Sequence, residues 1–503
     1  MAFKKIALLS FIVVGLIICS WSILHKDIIF HTDIARDFML LEELVDKGDF
    51  SLIGPRAGGI PGVFHGPLWM YIHIPAYILG QGSPVVIGWF WIMLVALTAG
   101  ILFYVCKKLF GETQGLIAAA LLVTSSFDLA RALFNPYGAV IFTPLFFYFL
   151  LQYIREKKFR DLLLTYFFIG ILIQFQIAFG GPMLVLTGLL TTYFIIRTKK
   201  FSHFAAYAIL IIPLATYIMF EVRNNFLQFH AVLDYLKVGA PIKISLLDRV
   251  RSHSKGLFLD GLNIIKGNLG WLTLPILFGI TAKMYKDLHR KKIKNADIYL
   301  LMAYLYIGYW TMTLAFNGTI WGYYIWPFTT FAIILFASLY GNLNKKIYFT
   351  LIAGILMWNT YNGLKDTQGV MNYIGKDGSS WQYNAKMAED IFKNAGEDFG
   401  YYIFTPDLYG YTPRYAMNYT QKQFSYKAYA FEKRKLTYLI MTPAPPERKD
   451  LSPDWWKVNE VKISAKPVMT TKLQDNIVEK FELTPEEVAV PSNPNLIQGI
   501  YFR

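Results

Sequence analysis

The run Val85-Val86-Ile87-Gly88-Trp89-Phe90-Trp91-Ile92-Met93-Leu94-Val95-Ala96-Leu97-Thr98-Ala99-Gly100-Ile101-Leu102-Phe103-Tyr104-Val105-Cys106, closed by Lys107-Lys108, decides the fold class. It carries no charge and is as long as the roughly 20 residues a helix needs to cross bilayer hydrocarbon. Working outward, similar apolar runs recur between short polar breaks, centred in 6–24, 115–131, 136–154, 162–179, 182–196, 203–222, 267–282, 297–315, 320–340 and 347–360. With 85–106 they predict an α-helical polytopic membrane protein of about 11 transmembrane helices. Composition agrees, with 55% hydrophobic and 17% charged residues in 503 and a positive mean hydropathy, a balance that excludes a string of soluble domains. Cys19-Ser20-Trp21-Ser22 after the first run offers no clean small-x-small cleavage site, so that run is expected to stay as an anchor.

The formal charge of +15 is not accompanied by a basic helix or stacking platform, so no nucleic-acid partner is expected. Alternating the sides of the spans puts Lys4/Lys5, Lys107/Lys108, Arg155/Lys157/Lys158/Arg160, Arg197/Lys199/Lys200, Lys283 to Lys294 and Lys345/Lys346 on one face. That face is then cytoplasmic, the N-terminus with it. The first loop, 25–84, lies on the other side, where its seven carboxylates outnumber Lys26, Arg36, Lys47 and Arg56. An odd number of spans sends 361–503 to that side too. The organisation expected is therefore a transmembrane module, 1–360, with a large first outer loop, 25–84, and a non-cytoplasmic C-terminal domain, 361–503, in what reads as a plasma-membrane protein. In the tail, Ala385–Ala395 has helical spacing, and Tyr401–Thr405 and Thr437–Met441 read as strands closed by Pro406 and Pro443 turns, giving a small α/β soluble domain.

Chemistry-bearing residues gather on the outer side. In Phe30-His31-Thr32-Asp33-Ile34-Ala35-Arg36-Asp37, helical spacing puts Asp33, Arg36 and Asp37 on one face, where a carboxylate beside a guanidinium stays ionised and serves as a base. A solvated interfacial helix gives the same pattern. The stretch Ile53-Gly54-Pro55-Arg56-Ala57-Gly58-Gly59-Ile60-Pro61-Gly62-Val63-Phe64-His65-Gly66-Pro67 forbids a helix and suggests a shaped turn where backbone approaches a ligand, with His65 exposed and available. Asp128, Arg131 and Asn135 follow the third span, Asp128 and Arg131 at a spacing that also suits a helix-end pair; Glu221, Arg223 and Asn224 end the seventh. His31, His65 and His73 have no metal-site spacing, and Cys19 and Cys106 sit in or at the end of apolar runs, so no metal is assigned and a divalent ion is unsupported. The span middles are nearly free of ionisable groups, which speaks against a pump.

These elements resemble, over 1–360, the membrane glycosyltransferases of the C superfamily, in the branch shared by protein O-mannosyltransferases and aminoarabinose lipid A transferases. Asp33-Ile34-Ala35-Arg36 stands where that family has an Asp-x-x-Arg element, and Gly66-Pro67-Leu68-Trp69 where it has Pro-Pro-Leu-aromatic. The resemblance implies Asp33 as catalytic base, and Arg36, with His65 in place of a family lysine, on the phosphate of a polyprenyl-linked sugar donor. It supplies Asn135 where many members have a second aspartate; an amide orients a sugar or hydroxyl but takes no proton. Asp454-Trp455-Trp456 reverses a tryptophan-tryptophan-aspartate element of oligosaccharyltransferases, and two buried or interface tryptophans account for it.

The function expected is an inverting glycosyltransferase of the cell envelope, a hexosyl- or pentosyltransferase, moving a sugar from polyprenyl phosphate to a hydroxyl of a protein, lipid or polysaccharide acceptor. Asp33 is the base; Arg36, His65, Arg131, Asn135 and Arg223 bind donor phosphate or sugar; Asp37, Asp128 and Glu221 support them. Membrane lipids are the other partners. The competing readings are a lipid or glycan transporter and a non-enzymatic membrane assembly subunit.

Overall fold

Backbone amides in hydrocarbon have no water to bond, so apolar runs in a membrane protein fold as helices. The computed structural model describes residues 2–238, 245–289, 295–448, 450–473, 476–496 and 499–500. Each of the eleven apolar stretches is helical at least in part. Fewer of them form single long apolar helices. Among the described residues Pro84–Phe110, Pro136–Glu156 and Ile177–Thr198 are long and apolar enough to cross a membrane, and Phe201–Ile211 with Ala215–Arg223 makes a fourth if that pair, bent by 69°, is one span. Leu68–Leu79, Glu112–Thr124 and Phe328–Gly341 are apolar but shorter.

The chain divides into two compact units. The first comprises Met1–Ser20, Phe50–His73 and Phe90–Thr367. Its helices Pro136–Glu156 and Phe159–Phe175 pair along their length, reversing at Lys157, whose left-handed φ of 52° ends the first of them. Near-parallel ring stacks Phe142–Phe175 and Phe149–Phe168 fill the seam. At Gln176 the backbone turns extended, φ −150° and ψ 93°, and the next helix starts at Ile177.

The second unit gathers Trp21–Asp49, Ile74–Trp89 and Gln368–Arg503. Its centre is a five-stranded sheet of β1 (Phe399–Phe404), β2 (Ala428–Ala430), β3 (Leu436–Met441), β4 (Met469–Leu473) and β5 (Asn476–Glu482), ordered β2-β1-β3-β5-β4. β2, β1 and β3 run parallel, while β5 is antiparallel to both β3 and β4. β1 and β3 are buried at every residue, as parallel strands covered on two faces must be. One core joins Tyr402, Phe404, Leu439, Met441, Trp456 and Phe481. The helix Thr32–Asp46 belongs to this unit and packs on Tyr411–Gln421. Phe30 and Phe38 meet there, rings 5.3 Å apart, with Trp381 and Tyr415 around them; each buried ring contributes roughly 2–3 kcal/mol. The segment before the helix is fastened by Asp27, which accepts from the Ser380 hydroxyl at 2.7 Å and the Gln382 amide at 3.0 Å.

Candidate active site

In the second unit the site begins with a helix N-terminus. His31, in extended conformation, caps Thr32–Asp46 by accepting the Asp33 amide on Nδ1 at 3.3 Å. Burial lowers the imidazole's pKa, against the pull of Asp33. Asp33 in the first turn is favoured by the helix dipole. Arg36 donates from Nη1 to Asp33 Oδ1 at 2.7 Å, and from Nη2 and Nε to Asp37 Oδ1 at 2.9 and 3.1 Å. The three residues thus meet as their spacing predicts, but not as a solvated face. Asp37 and Arg36 side chains are 6% and 13% exposed, whereas Asp33 is 48% exposed. Burial pushes Asp37 up to about 6, with Arg36 pulling the other way. Burial also works against the Arg36 charge, yet Asp37 and Asp33 outweigh it and hold its pKa above the ordinary guanidinium value. The outcome is one accessible carboxylate whose orientation is set by a guanidinium that a buried carboxylate holds in place.

In the first unit the Gly/Pro stretch forms a tied loop, with no helix. The amide of Gly54 donates to His65 O at 2.7 Å, that of His65 to Pro55 O at 2.8 Å and that of Ala57 to Val63 O at 2.8 Å. Three further bonds anchor it: the Gly66 amide to Gln174 O, the Phe64 amide to Gln228 Oε1, and the Tyr217 hydroxyl to Phe64 O, at 2.8 to 2.9 Å. The close backbone approach that the glycines permit is to the chain itself. A Cβ on Gly54 would lie 2.3 Å from Gly66 O, and one on Gly66 would lie 1.7 Å from Gln174 Oε1. Against the expectation of exposure, His65 is 5% exposed, because the loop folds inward over a cavity of about 230 Å³ lined by Ala57, Val63, His65, Gln176, Tyr309, Phe316 and Tyr324 among others. Gln176 is fully buried there, and neither its carbonyl oxygen nor its amide nitrogen has a hydrogen-bond partner among the described residues. A buried amide left so costs about 1–3 kcal/mol and points to a ligand that satisfies it. Sequence reading missed Gln176; its signal is the pair of amides Gln174 and Gln176 inside an apolar run.

Most of the other predicted residues have protein partners. Arg131 faces Asp366 with two bonds, 3.2 and 3.3 Å, and Asp128 accepts from Lys266 at 3.1 Å, so the helix-end pair of Asp128 with Arg131 does not form. Asn135 is buried and donates to Phe175 O at 2.8 Å, steadying the break before Gln176. Glu221 accepts the amides of Gln228 and Phe229, both at 3.2 Å, at the start of helix Leu227–Val238. Arg223 ends its helix exposed. His73 accepts from Trp91 Nε1 at 3.1 Å and bonds Trp69 O at 2.7 Å, a structural role. Among the described residues no three His, Cys, Asp or Glu side chains converge as metal ligands.

Residues 65–220 match the family described as dolichyl-phosphate-mannose-protein mannosyltransferase. No curated protein sequence matches the chain. Its fold is similar to that of ArnT from Cupriavidus metallidurans. The apo crystal structure aligns with a TM-score of 0.58 and 12% identity over 94% of this chain and 97% of that one. The crystal structure bound to undecaprenyl phosphate aligns with the same TM-score and identity over 97% and 99%. The matched family segment begins at His65 and runs through the Gln176 break, and the fold likeness to ArnT covers nearly the whole chain.

Proposed function

We propose that the chain transfers a sugar from a polyprenyl-phosphate donor to a hydroxyl acceptor with inversion, Asp33 acting as base. The observation that carries this is the accessible Asp33 carboxylate held by Arg36 at 2.7 Å on the first turn of a helix. Asp33 takes the proton of the acceptor hydroxyl as its oxygen bonds to the anomeric carbon, and the bond from that carbon to the phosphate oxygen breaks. The polyprenyl phosphate leaves with the bonding pair, and a single displacement inverts the configuration. Arg36, placed between Asp33 and Asp37, orients the base.

For the donor we assign the cavity of the first unit. Its walls are mostly apolar, which suits an isoprenoid carrier, and His65 and Gln176 supply polar contacts for the phosphate or sugar. The undecaprenyl phosphate bound to ArnT supports a lipid carrier of this kind. Arg131 and Asn135 act through the fold, keeping the Asp366 contact and the Gln176 break. The active site and C-terminal domain face the non-cytoplasmic side, in line with the basic residues of the opposite loops. The test is Asp33→Asn, measured as transfer of labelled sugar in membranes: turnover falls by about 10³-fold or more with protein level unchanged. Near-normal turnover rules out Asp33 as base.

A further inference from the structure

We infer that the sheet of the second unit carries a saccharide-binding cleft built around Trp455. The parallel strands are ordered β2-β1-β3, so the chain leaves β1 for one side and comes back to the other. Open α/β sheets bind ligands at such a point, outside the carboxyl ends of the strands. Here a cavity of about 310 Å³ opens there, lined by Tyr409 after β1, Phe431 after β2, and Asp450, Trp455 and Glu460 after β3, with Asn495 closing it. Its volume lies in the range of about 300–1,000 Å³ common to small-molecule sites.

The lining chooses the ligand. Trp456 is 7% exposed and packs on Phe404, ring centroids 5.4 Å apart, so it accounts for itself as core. Its neighbour Trp455 is 57% exposed, with Leu408, 51% exposed, also on the cavity. An indole left open beside a cleft is a platform for the C–H face of a pyranose. Around it stand acceptors for sugar hydroxyls: the Glu460 carboxylate, the Asn495 amide and the Asp450 carboxylate, which also holds Arg448 at 2.9 Å. Among the described residues no lysine or arginine lines the cavity, and Arg448 beside it is engaged by Asp450 at 2.9 Å, so a phosphate, a nucleotide or an anionic headgroup finds no unengaged counter-charge there. An aromatic anchor in lipid headgroups fits poorly for the same reason, since two carboxylates share the surface. Leu408 and Phe431, both lining the cavity, hold left-handed φ, 65° and 57°, a strain that clusters at ligand sites. The ligand class is a neutral or amino-bearing saccharide. This deepens the proposed function by making the acceptor a molecule that already carries sugar, and to that extent rests on it; the cleft itself rests only on the sheet.

The experiment uses the full chain in lipid nanodiscs on a microarray of neutral, amino and acidic saccharides, followed by saturation-transfer NMR on those retained. Wild type, Trp455→Tyr and Asp33→Asn are expected to hold the same neutral or amino saccharide, while Trp455→Ala and Glu460→Ala bind it about tenfold more weakly. Because Trp455 is largely exposed, its alanine variant keeps its unfolding temperature, and Trp455→Tyr separates loss of the platform from loss of fold. The inference is overturned if no saccharide distinguishes wild type from Trp455→Ala, or if the retained saccharides are only acidic. Binding that survives in Asp33→Asn while transfer is lost keeps the cleft separate from the transfer chemistry; transfer that is normal in Asp33→Asn removes the base and leaves the cleft standing.

Discussion

Replacing Gly54 by alanine tests whether the His65 loop is part of the machinery. The added Cβ lies 2.3 Å from Gly66 O, 3.0 Å from Gly66 C and 3.4 Å from His65 O. A comfortable carbon-to-oxygen contact is about 3.3–3.6 Å, so the two chain segments must part by roughly 1 Å. The obstacle is backbone on both sides, and no rotamer relieves it. The bonds that go first are Gly54 N to His65 O and His65 N to Pro55 O. Stability should fall by about 1–3 kcal/mol. Turnover should fall further, because a misplacement of about 1 Å at a reacting centre costs on the order of 10²-fold. Gly58→Ala is the control from the same loop: its Cβ meets only Tyr324 Oη, at 4.0 Å, so stability should hold within about 0.5 kcal/mol and turnover within roughly twofold. The assay pairs labelled-sugar transfer in membranes with thermal unfolding in nanodiscs. Equal turnover in the two variants, or Gly54→Ala at wild-type rate, refutes the role given to the loop.

Arg36→Met leaves Asp37 buried without its ion partner, and should lower stability by about 3–5 kcal/mol; adding Asp37→Asn should recover part of the loss, read as a double-mutant cycle of unfolding free energies. Asp37 alone carries a pH signature. Its folded pKa is raised from 3.8 to about 6, so the native state holds the proton more tightly and the group's contribution is full below pH ~4 and lost as pH rises through about 6. Relative to wild type, Asp37→Asn should therefore gain about 3 kcal/mol between those limits and stay level above them, as pH-dependent thermal unfolding will show. Gln176→Leu removes a buried amide that has no partner among the described residues, and should raise stability by about 1–2 kcal/mol while transfer falls at least tenfold, measured by the same two assays.

Where helices form was legible in the sequence; where they break was less so. Hydrophobic run length carries the first, and every apolar stretch is helical at least in part. Breaks depend on side chains answering one another at a distance. Gln174 donates to Pro213 O at 2.6 Å and to Thr216 Oγ1 at 3.0 Å, joining the end of one helix to the bend in 201–223, where Pro213 offers no backbone N–H to continue the ladder. Neither residue announces the other along the chain. The sheet shows the same division. β1 and β3 are buried apolar runs and stand out, whereas β4 is half-exposed and carries a lysine, and β5 mixes lysine and glutamate among buried residues, so their partners define them.

The Asp33–Arg36–Asp37 constellation could be read from helical spacing, since it is local. What surrounds it could not. Thr32 Oγ1 donates to Asp407 at 2.5 Å, Glu42 accepts from Asn418 at 2.7 Å and Asp46 pairs with Lys422 at 3.1 Å, each more than 350 positions away. An acidic loop helix that the sequence presents as a solvated face is thereby made one wall of an α/β unit, and Asp37 loses its water. That loss is the physical origin of its raised pKa and of the fixed Arg36 beside it. Natural chains keep local choices consistent with the fold except where function pulls against stability. This chain departs from that consistency at the buried Asp37 carboxylate and at the Gln176 amide, which has no partner among the described residues. Both departures cost stability that an asparagine at 37 or a leucine at 176 would restore; in the proposed function the first fixes Arg36 beside Asp33 and the second offers its amide to the donor.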